Sequence, residues 1–357
     1  MPKKKIIAIQ NDRYNSGHHG IQSFSEQWAD TLSESRLYEP KIVNIFSNGN
    51  LGPLAGANAF MMRPMGNNKN YDLARKIIPA IENGMGIPTF PNGLLAWLSR
   101  DKLAQSFWLE SSGFPTAITW SFLDLKNANE FLRKASYPLV AKTADGCQSD
   151  EVVLLNDTNE ALAFSNELFR FGVNQIYQAT SKPYRRFPQR VRQAWRFIRG
   201  LQSPRNRKGG YVYFQEFIPG NQFDVRVIII GRFALAFRRH NRPGDFRASA
   251  SDSFDRDGHH VDADSISLAF NVADKIGCPF IAADILFKDG RPIICEINLG
   301  YSAWKFEKIR GYWERDKQNN KSQHSLCYRD GYLDPYKTTL YEWVRYHNMQ
   351  PIDPESD

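Results

Sequence analysis

Three oxygen-bearing side chains stand out because they interrupt two strongly apolar segments. Asp284 lies in the first segment, and Glu296 and Asn298 lie in the second. A carboxylate in an isoleucine-rich strand is costly unless it is paired or bound to a metal ion. Two carboxylates and an amide oxygen are ligands that suit a hard cation such as Mg²⁺. An edge hairpin with one solvated face would explain the same acids without a metal.

The two segments predict a β-hairpin, because residues 288–291 (KDGR) between them are typical of a tight turn. Glu296 and Asn298 are two residues apart and therefore share one face of a strand. Asp284 joins that face only if the loop is odd-numbered or a bulge shifts the register. A strict two-residue turn would place Ala283 opposite Glu296 instead.

The bulk composition is that of a globular protein with more than one domain. The chain has 357 residues, of which 42% are hydrophobic and 24% charged, and this length predicts two or three domains. No apolar run approaches the roughly 20 residues of a membrane span, and the apolar run after the N-terminal lysines is too short for a signal peptide. The sequence thus predicts a cytoplasmic protein.

Charge and cysteine usage narrow the classes further. The net charge of +8 favours anionic partners such as nucleotides, acidic metabolites or nucleic acid. The four cysteines show no CxxC spacing, which predicts buried thiols in a reducing compartment.

Strand and helix patterns predict three successive parts. Residues 1–98 alternate strands, loops and helices and are expected to form a small open α/β domain. Residues 99–170 contain a lysine-ended strand and a glycine-containing loop, and are expected to form a second subdomain with a phosphate-binding loop. Residues 171–357 carry the hairpin and its metal site. The tail over 310–357 carries an amphipathic stretch, and its role is not predicted.

Two further features suggest an anionic ligand. His18, His19 and Arg63 follow predicted strands of the first domain, where α/β folds bind ligands, although adjacent loop histidines are more often simply exposed. Residues 181–208 hold ten lysines and arginines, no acid and several aromatic residues. This basic segment is either a grip on a polyanion or a solvated insertion.

Several short motifs occur in a characteristic order along the chain. An Asp-Lys pair precedes a helix, and the series continues with PLVAK, QEFIPG, DVRVIIIG, RRHNRPGDFR, AADIL and CEIN. Over roughly residues 60–305 this series resembles the ATP-grasp superfamily, and it is most similar to the branch of the ribosomal-protein glutamate ligases (RimK-like) and bacterial glutathione synthetases. The resemblance implies an α/β fold, with α+β character in the ATP-grasp part, in which two subdomains hold ATP between them.

The resemblance also implies roles for residues that would contact the nucleotide. Lys102 and Lys142 match the two lysines that hold the α- and β-phosphates. The loop around Gly146 matches the glycine-rich lid, although it is poorer in glycine. Residues 216–218 match the hinge that reads adenine through Glu216 and the backbone of Phe217 and Ile218. Asp224 matches the acid that binds ribose.

The remaining implied residues face the reacting phosphate. Arg226 matches an arginine at the phosphate end, and Arg239 matches the arginine that neutralises the γ-phosphate during transfer. Asp284, Glu296 and Asn298 match the ligands of the Mg²⁺ ions that bridge the phosphates. The expected cofactors are thus ATP and Mg²⁺, with two ions and with Mn²⁺ as an alternative.

Two loops depart from the family pattern. The chain has Ser249 where the family commonly has asparagine, and Tyr301 lies in a segment that replaces a small-Pro-Gly loop. Both loops touch substrate in the family. Arg247, Ser249 and Tyr301 are accordingly expected at a substrate site with a different ligand.

The resulting prediction is an ADP-forming ligase. It would join a small-molecule or peptide carboxylate to an amine through an acylphosphate, with an anionic substrate and with a homodimer as the common family assembly. A kinase on the same scaffold, similar to the inositol-phosphate kinases, is the alternative. A nucleic-acid-binding protein that merely retains the fold is disfavoured by the intact metal triad.

Overall fold

The computed structural model describes most of the chain in nine ranges. These are residues 3–12, 23–64, 68–142, 152–171, 211–248, 251, 253–299, 309–316 and 325–352. The contacts divide the chain into two compact units. The first unit combines residues 1–100 with 222–357, and the second unit comprises residues 101–221.

The N-terminal part of the first unit is a parallel sheet with helices, as the α/β pattern predicts. Its described strands follow the order β2-β1-β3-β4, and the carboxyl ends of parallel strands meet at one edge. The strands are β1 (Lys5–Gln10), β2 (Tyr38–Val43), β3 (Ala59–Met61) and β4 (Thr89–Phe90), and the helices are α1 (Phe24–Ser33), α2 (Ile45–Asn48), α3 (Asn68–Met85) and α4 (Gly93–Leu98).

The second sheet of the first unit is antiparallel and carries the hairpin that the sequence singled out. Its main order is β13-β12-β9-β10-β14-β15, with a short strand β11 beside β10. The strands are β9 (Phe223–Ile230), β10 (Phe233–His240), β11 (Phe254–Asp255), β12 (Ala282–Lys288), β13 (Arg291–Asn298), β14 (Tyr312–Arg315) and β15 (Leu326–Arg329). Helix α8 (Ala263–Ile276) lies between β11 and β12 in the chain, and helix α9 (Pro335–Tyr346) follows β15.

The hairpin of β12 and β13 contains the irregularity that the predicted metal site requires. Its two-residue turn has positive φ at Asp289 (51°) and Gly290 (75°), as type I′ turns demand. That turn alone would pair Ala283 with Glu296. A bulge between Asp284 and Ile285 shifts the register by one residue, so Asp284 lies opposite Glu296 and their side chains share a face.

The C-terminal helix, whose role the sequence did not reveal, is part of the first unit's core. Trp343 is buried, and its indole N–H donates to the carbonyl oxygen of Thr89 at 3.3 Å. The Glu342 carboxylate accepts the backbone N–H of Arg232 at 2.9 Å. Gly231, with φ of 62°, packs so closely on Glu342 that a Cβ atom would overlap that side chain. Helix α9 therefore braces the turn between β9 and β10.

The second unit is built on an antiparallel sheet in the order β5-β8-β6-β7. Its elements are α5 (Lys102–Ser111), β5 (Thr119–Phe122), α6 (Leu125–Leu132), β6 (Leu139–Lys142), β7 (Val152–Leu155), α7 (Thr158–Phe171) and β8 (Val212–Glu216). Aromatic and aliphatic side chains from α6, α7 and the sheet form its core.

The second unit extends further along the chain than the predicted boundary at residue 170. Strand β8 pairs with β5 and β6, whereas the sequence assigned it to the C-terminal part. The reason is physical, because β8 follows the long basic segment in the chain but completes a sheet that began before it. Likewise, the first unit includes both the N-terminal domain and residues 222–357.

Two further predictions concern the membrane and the cysteines. Over the described residues, no helix combines the length and apolar character needed to cross a membrane, and the cytoplasmic location stays a prediction. Of the three described cysteines, Cys278 is buried as predicted, whereas Cys295 is half-buried and Cys327 is exposed, so the prediction of buried thiols is wrong for these two.

Candidate functional site

One face of the antiparallel sheet collects the acids and arginines that the sequence predicted. The pairing places Asp284 of β12 opposite both Glu296 of β13 and Arg226 of β9, and it places Asp224 of β9 opposite Arg239 of β10. Side chains of directly paired residues share a face. We call this surface the polar sheet face, and its members are Asp224, Arg226, Arg239, Asp284, Glu296 and Asn298.

Ion pairs link two arginines and two aspartates of this face into a chain. Arg226 donates to both oxygens of Asp284, from Nε to Oδ1 and from Nη2 to Oδ2, each at 2.6 Å. Arg239 donates to both oxygens of Asp224, again at 2.6 Å. Nη2 of Arg239 also lies 2.9 Å from Oδ2 of Asp284. The order is therefore Asp224, Arg239, Asp284, Arg226.

This network is withdrawn from solvent. Asp284 and Arg239 expose only 6% and 7% of their surface. Burial raises the pKa of the Asp284 carboxyl, but the guanidinium groups of Arg226 and Arg239 outweigh that effect and lower its pKa to about 2. Burial lowers the pKa of Arg239, but Asp284 and Asp224 outweigh it, so the net shift is upward. Burial outweighs the neighbouring guanidinium of Arg239 at Asp224 and raises the pKa of that carboxyl. Asp284 and Arg239 are charged at neutral pH.

The predicted metal ligands are oxygen-bearing groups that suit a hard cation, although Asp284 is also bound by two arginines. Glu296 and Asn298 are half-buried, and their side chains make no hydrogen bond or ion pair among the described residues. A carboxylate offers about four lone-pair positions, and the arginines occupy three of those on Asp284. The side-chain oxygens of Glu296 and Asn298 and the one remaining lone-pair position on Asp284 are together consistent with ligands of Mg²⁺.

A set built only from carboxylates, histidines or cysteines is not available there. Within the described ranges, no three or more His, Cys, Asp or Glu side chains cluster so as to hold a metal ion. The predicted set contains two carboxylates and one amide. Its remaining ligands would have to come from water or from phosphate oxygens, which is the usual manner in which Mg²⁺ binds beside a nucleotide.

The second unit holds the two lysines predicted to contact phosphates. Lys142 is the last residue of β6 and is buried, and its Nζ donates to Oε1 of Gln215 at 2.5 Å. Gln215 in turn donates from Nε2 to Oγ1 of Thr119 at 3.3 Å. Lys102 is the first residue of α5, directly after Asp101, whose side chain caps the helix. A cation in the first helical turn opposes the helix dipole, which favours a role for Lys102 beyond helix stability.

The predicted adenine hinge lies at the end of β8. The Glu216 carboxylate accepts the backbone N–H of Ile118 at 2.8 Å, and the Glu216 backbone N–H donates to the Ile118 carbonyl at 2.9 Å. Phe217 and Ile218 follow the strand, and Ile218 is buried. Glu216 therefore ties β8 to the start of β5, and its predicted contact with adenine stays a prediction.

The predicted substrate residues are only partly described. Arg63 follows β3 and is buried, with its guanidinium 4.0 Å from the ring centre of Phe24. Arg247 pairs with Asp245 of its own loop, at 2.6 Å. The other predicted positions, His18, His19, Gly146, Ser249 and Tyr301, lie outside the described residues, as does the basic segment 181–208.

Sequence reasoning missed the partners of the predicted cations. A turn at residues 231–232 pairs Asp224 with Arg239 when residues are counted outward along the hairpin, so the signal was present and the pairing could have been found. No comparable signal existed for Gln215, because its contact with Lys142 depends on the pairing of β6 with β8, two strands far apart in the chain.

Comparisons with known proteins agree with this fold. Residues 206–313 match the family model of the RimK-like ATP-grasp domain. This match includes β9, β10 and the β12–β13 hairpin, and therefore the whole polar sheet face. The chain thus has the ATP-grasp fold with a RimK-like domain, as the motif series predicted. No curated protein matches the chain in sequence.

Solved structures show the same architecture at low sequence identity. A RimK-domain ATP-grasp protein from Sphaerobacter thermophilus aligns with a TM-score of 0.52 and 16% identity over 85% of this chain and 95% of its own. The ATP-grasp ligase PsnB, complexed with a precursor variant, Mg and ADP, gives 0.52 and 14% over 97% and 99%. The D-alanine–D-alanine ligase of Bacillus anthracis, complexed with ATP, gives 0.50 and 15% over 83% and 86%. At these identities the likeness establishes the fold.

Proposed function

We propose that this protein is an ATP- and Mg²⁺-dependent ligase that joins a carboxylate to an amine through an acylphosphate. The observation that carries the proposal is the polar sheet face. Four neighbouring strands present two arginines and three carboxylates on one surface, in the part of the chain that matches a RimK-like ATP-grasp domain. The ligases named among the structural neighbours support the same class of reaction.

The arginines of this face would stabilise the charge of the transferring phosphate. Phosphoryl transfer requires little covalent chemistry from the protein, and positioned cations supply much of the catalysis. Arg226 and Arg239 are held by aspartates in planar, two-point pairs, so their orientation is set before a substrate arrives. Loss of one such donor typically slows a reaction by about 100-fold to 1,000-fold.

The acids of this face would hold the metal. Glu296 and Asn298 offer free oxygen atoms, and Asp284 can share its remaining lone-pair position. Mg²⁺, when bound, would supply positive charge that neutralises part of the charge on the phosphate oxygens. The two arginines lie beside three carboxylates on this face, so they offset most of the negative charge of the acids.

The second unit would contribute the remaining nucleotide contacts. Lys102 and Lys142 are buried lysines and would act as point charges toward phosphate oxygens. Glu216, Phe217 and Ile218 would contact adenine, and the loop around Gly146 would cover the phosphates. These roles follow from the motif resemblance, and the buried position of both lysines supports them.

The proposed substrate is anionic. The positive net charge and the basic segment 181–208 favour an anionic acceptor. Arg63, buried at the carboxyl edge of the N-terminal sheet, is a candidate contact for its carboxylate. His18, His19, Arg247, Ser249 and Tyr301 remain candidate substrate contacts on sequence grounds.

The test is an assay of product stoichiometry. The protein would be incubated with ATP, Mg²⁺ and panels of carboxylic acids and amines, with ADP and inorganic phosphate measured in parallel. We expect equal amounts of both products only when an acid and an amine are present together. With the acid alone, hydroxylamine should trap the acylphosphate as a hydroxamate. An absence of ADP formation with every acid tested would contradict the ligase proposal.

The same assay separates the rival functions. A kinase would release ADP without free phosphate and would need no amine. A protein that only binds nucleic acid would bind RNA or DNA in a salt-dependent manner, and Asp284→Asn or Glu296→Gln would not change that binding. The catalytic control is the Asp284→Asn variant, which should lose ADP formation if the polar sheet face binds the metal.

A further inference from the structure

Asp224 has a structural environment that its expected role in ribose binding does not explain. A carboxylate that reads ribose must offer its oxygens to the sugar hydroxyls. Both oxygens of Asp224 instead accept N–H groups of Arg239 at 2.6 Å, from Nε and from Nη2. The Asp224 side chain exposes 14% of its surface, so it is also largely removed from any ligand.

The two-point pair fixes the plane of the Arg239 guanidinium. Nε and Nη2 of Arg239 are directed at Asp224, and Nη2 also lies 2.9 Å from Oδ2 of Asp284. A guanidinium carries five N–H groups. The two on Nη1 make no hydrogen bond among the described residues. Nη1 is therefore the edge that Arg239 can present to a phosphate oxygen.

Asp224 is the residue that restricts the Arg239 guanidinium to a single orientation. Asp284 contacts Arg239 through one oxygen only and binds Arg226 through both. Without Asp224, Arg239 would keep a single contact and could rotate about it. With Asp224, the register of β9 and β10 determines where Nη1 lies, because the two residues are directly paired.

We propose that Asp224 is a positioning residue that holds Arg239 with Nη1 directed at the transferring phosphate, and that it does not read the ribose. The proposal rests on the proposed function, since it assumes that Arg239 meets ATP. Under this proposal, substitution of Asp224 impairs phosphate transfer and leaves the affinity for the sugar hydroxyls unchanged.

The experiment compares the sugar and the phosphate end of the nucleotide in matched variants. Wild type, Asp224→Asn and Asp224→Glu would be titrated calorimetrically with a non-hydrolysable ATP analogue, with ADP and with 2′,3′-dideoxyATP. The steady-state kcat and KM for ATP would be measured alongside. Asp274→Asn is the control, because Asp274 forms a two-point pair with Arg315 on β14 (2.6 and 3.0 Å), away from the polar sheet face.

The expected result is a loss at the phosphate end alone. A misplacement of about 1 Å can cost about 100-fold in rate, so kcat should fall by about 10-fold to 100-fold in Asp224→Asn while ADP affinity changes less than about two-fold. The ratio of ATP to 2′,3′-dideoxyATP affinity should equal that of wild type. Asp224→Glu retains the ion pair and the fold, and should lower kcat without changing that ratio.

Two other outcomes overturn the proposal in distinguishable ways. If the affinity ratio between ATP and 2′,3′-dideoxyATP collapses in either Asp224 variant, Asp224 reads the sugar and the positioning role is wrong. If wild type and the Asp274→Asn control both fail to bind any of the nucleotides, the proposed function is wrong as well. Urea unfolding of each variant identifies any loss that comes from misfolding, and the Asp224→Glu result then decides.

Discussion

The two units hold their predicted phosphate-binding cations in different ways. In the first unit, each arginine of the polar sheet face makes two hydrogen bonds of 2.6 Å to an aspartate that is at most slightly exposed. In the second unit, Lys142 makes a hydrogen bond of 2.5 Å to the neutral amide of Gln215. One region is a network of opposite charges, and the other is a point charge beside a dipole.

This difference teaches how each region can respond to a ligand. A planar guanidinium in a two-point pair has little freedom, whereas an ammonium group on a flexible stem can turn toward a new partner. Removal of one partner of a buried ion pair leaves an uncompensated charge. Removal of a neutral partner costs only a hydrogen bond. We therefore expect the polar sheet face to be rigid and sensitive to substitution, and the Lys142 region to be adaptable.

The largest effect is expected from Arg239→Met, which leaves Asp224 and Asp284 buried with less compensation. The free energy of unfolding should fall by about 3–5 kcal/mol, measured by urea denaturation. A loss smaller than about 1 kcal/mol would show that solvent already screens the network, and would remove the contrast between the two regions.

The pH dependence of stability should also distinguish the regions. The pKa of Asp284 is lowered to about 2, below its ordinary value of about 3.9. The stabilisation by Asp284 is thus present above about pH 4 and is lost as the pH falls toward 2. The stability gap between wild type and Asp284→Asn should narrow by about 2–3 kcal/mol on acidification through this range.

The matched comparison for acidification is Gln215→Leu. The neutral amide of Gln215 does not titrate in the acidic range, so the stability gap between wild type and this variant should be constant over the same range. If the stability difference from wild type narrows equally for Asp284→Asn and Gln215→Leu, acidification destabilises the whole protein and the effect is not specific to Asp284.

The effect of Gln215→Leu at neutral pH should be intermediate. It removes one hydrogen bond to a charged group, which is worth about 1.5 kcal/mol or somewhat more, and it withdraws the Gln215 contact that helps to position Lys142. We expect a modest loss of stability with a raised KM for ATP, measured by urea denaturation and steady-state kinetics. Thr119→Val, which removes only the 3.3 Å contact to Gln215, should have a smaller effect on both. Equal effects of the two variants would show that Gln215 does not position Lys142.

The smallest effect is expected from Asp274→Asn. Arg315 and Asp274 also form a two-point pair, but Asp274 exposes 48% of its side chain, and Arg315 lies 4.3 Å from the ring centre of Phe270. Exposed ion pairs contribute about 0–1 kcal/mol, so stability should change little in urea denaturation. A loss as large as that of Arg239→Met would show that pairing geometry matters more than burial.

The sequence predicted much of the fold because its signals are local. Apolar runs and turn chemistry located the hairpin at β12 and β13, and alternating strand and helix patterns indicated the α/β character of the N-terminal part. The possibility that a bulge would bring Asp284 opposite Glu296 could be stated, but a bulge depends on packing and not on turn residues. The register of the structure resolves that choice.

The remaining features depend on contacts between distant segments. Strand β8 completes the sheet of the second unit after a long insertion, and this pairing creates the contacts of Gln215 with Lys142 and of Glu216 with Ile118. Helix α9 packs against the first unit although its sequence shows only amphipathic character. No local pattern specifies such partners, since the pairing is selected by the whole core.

The most direct test of the account is a crystal structure with Mn²⁺ and a non-hydrolysable ATP analogue. We predict an ion bound by oxygens of Asp284, Glu296 and Asn298 at about 2.0–2.2 Å, with Nη1 of Arg239 within hydrogen-bonding distance of the γ-phosphate. A nucleotide bound with no ion on the polar sheet face, or an ion held by other residues while Glu296 faces solvent, would contradict the account.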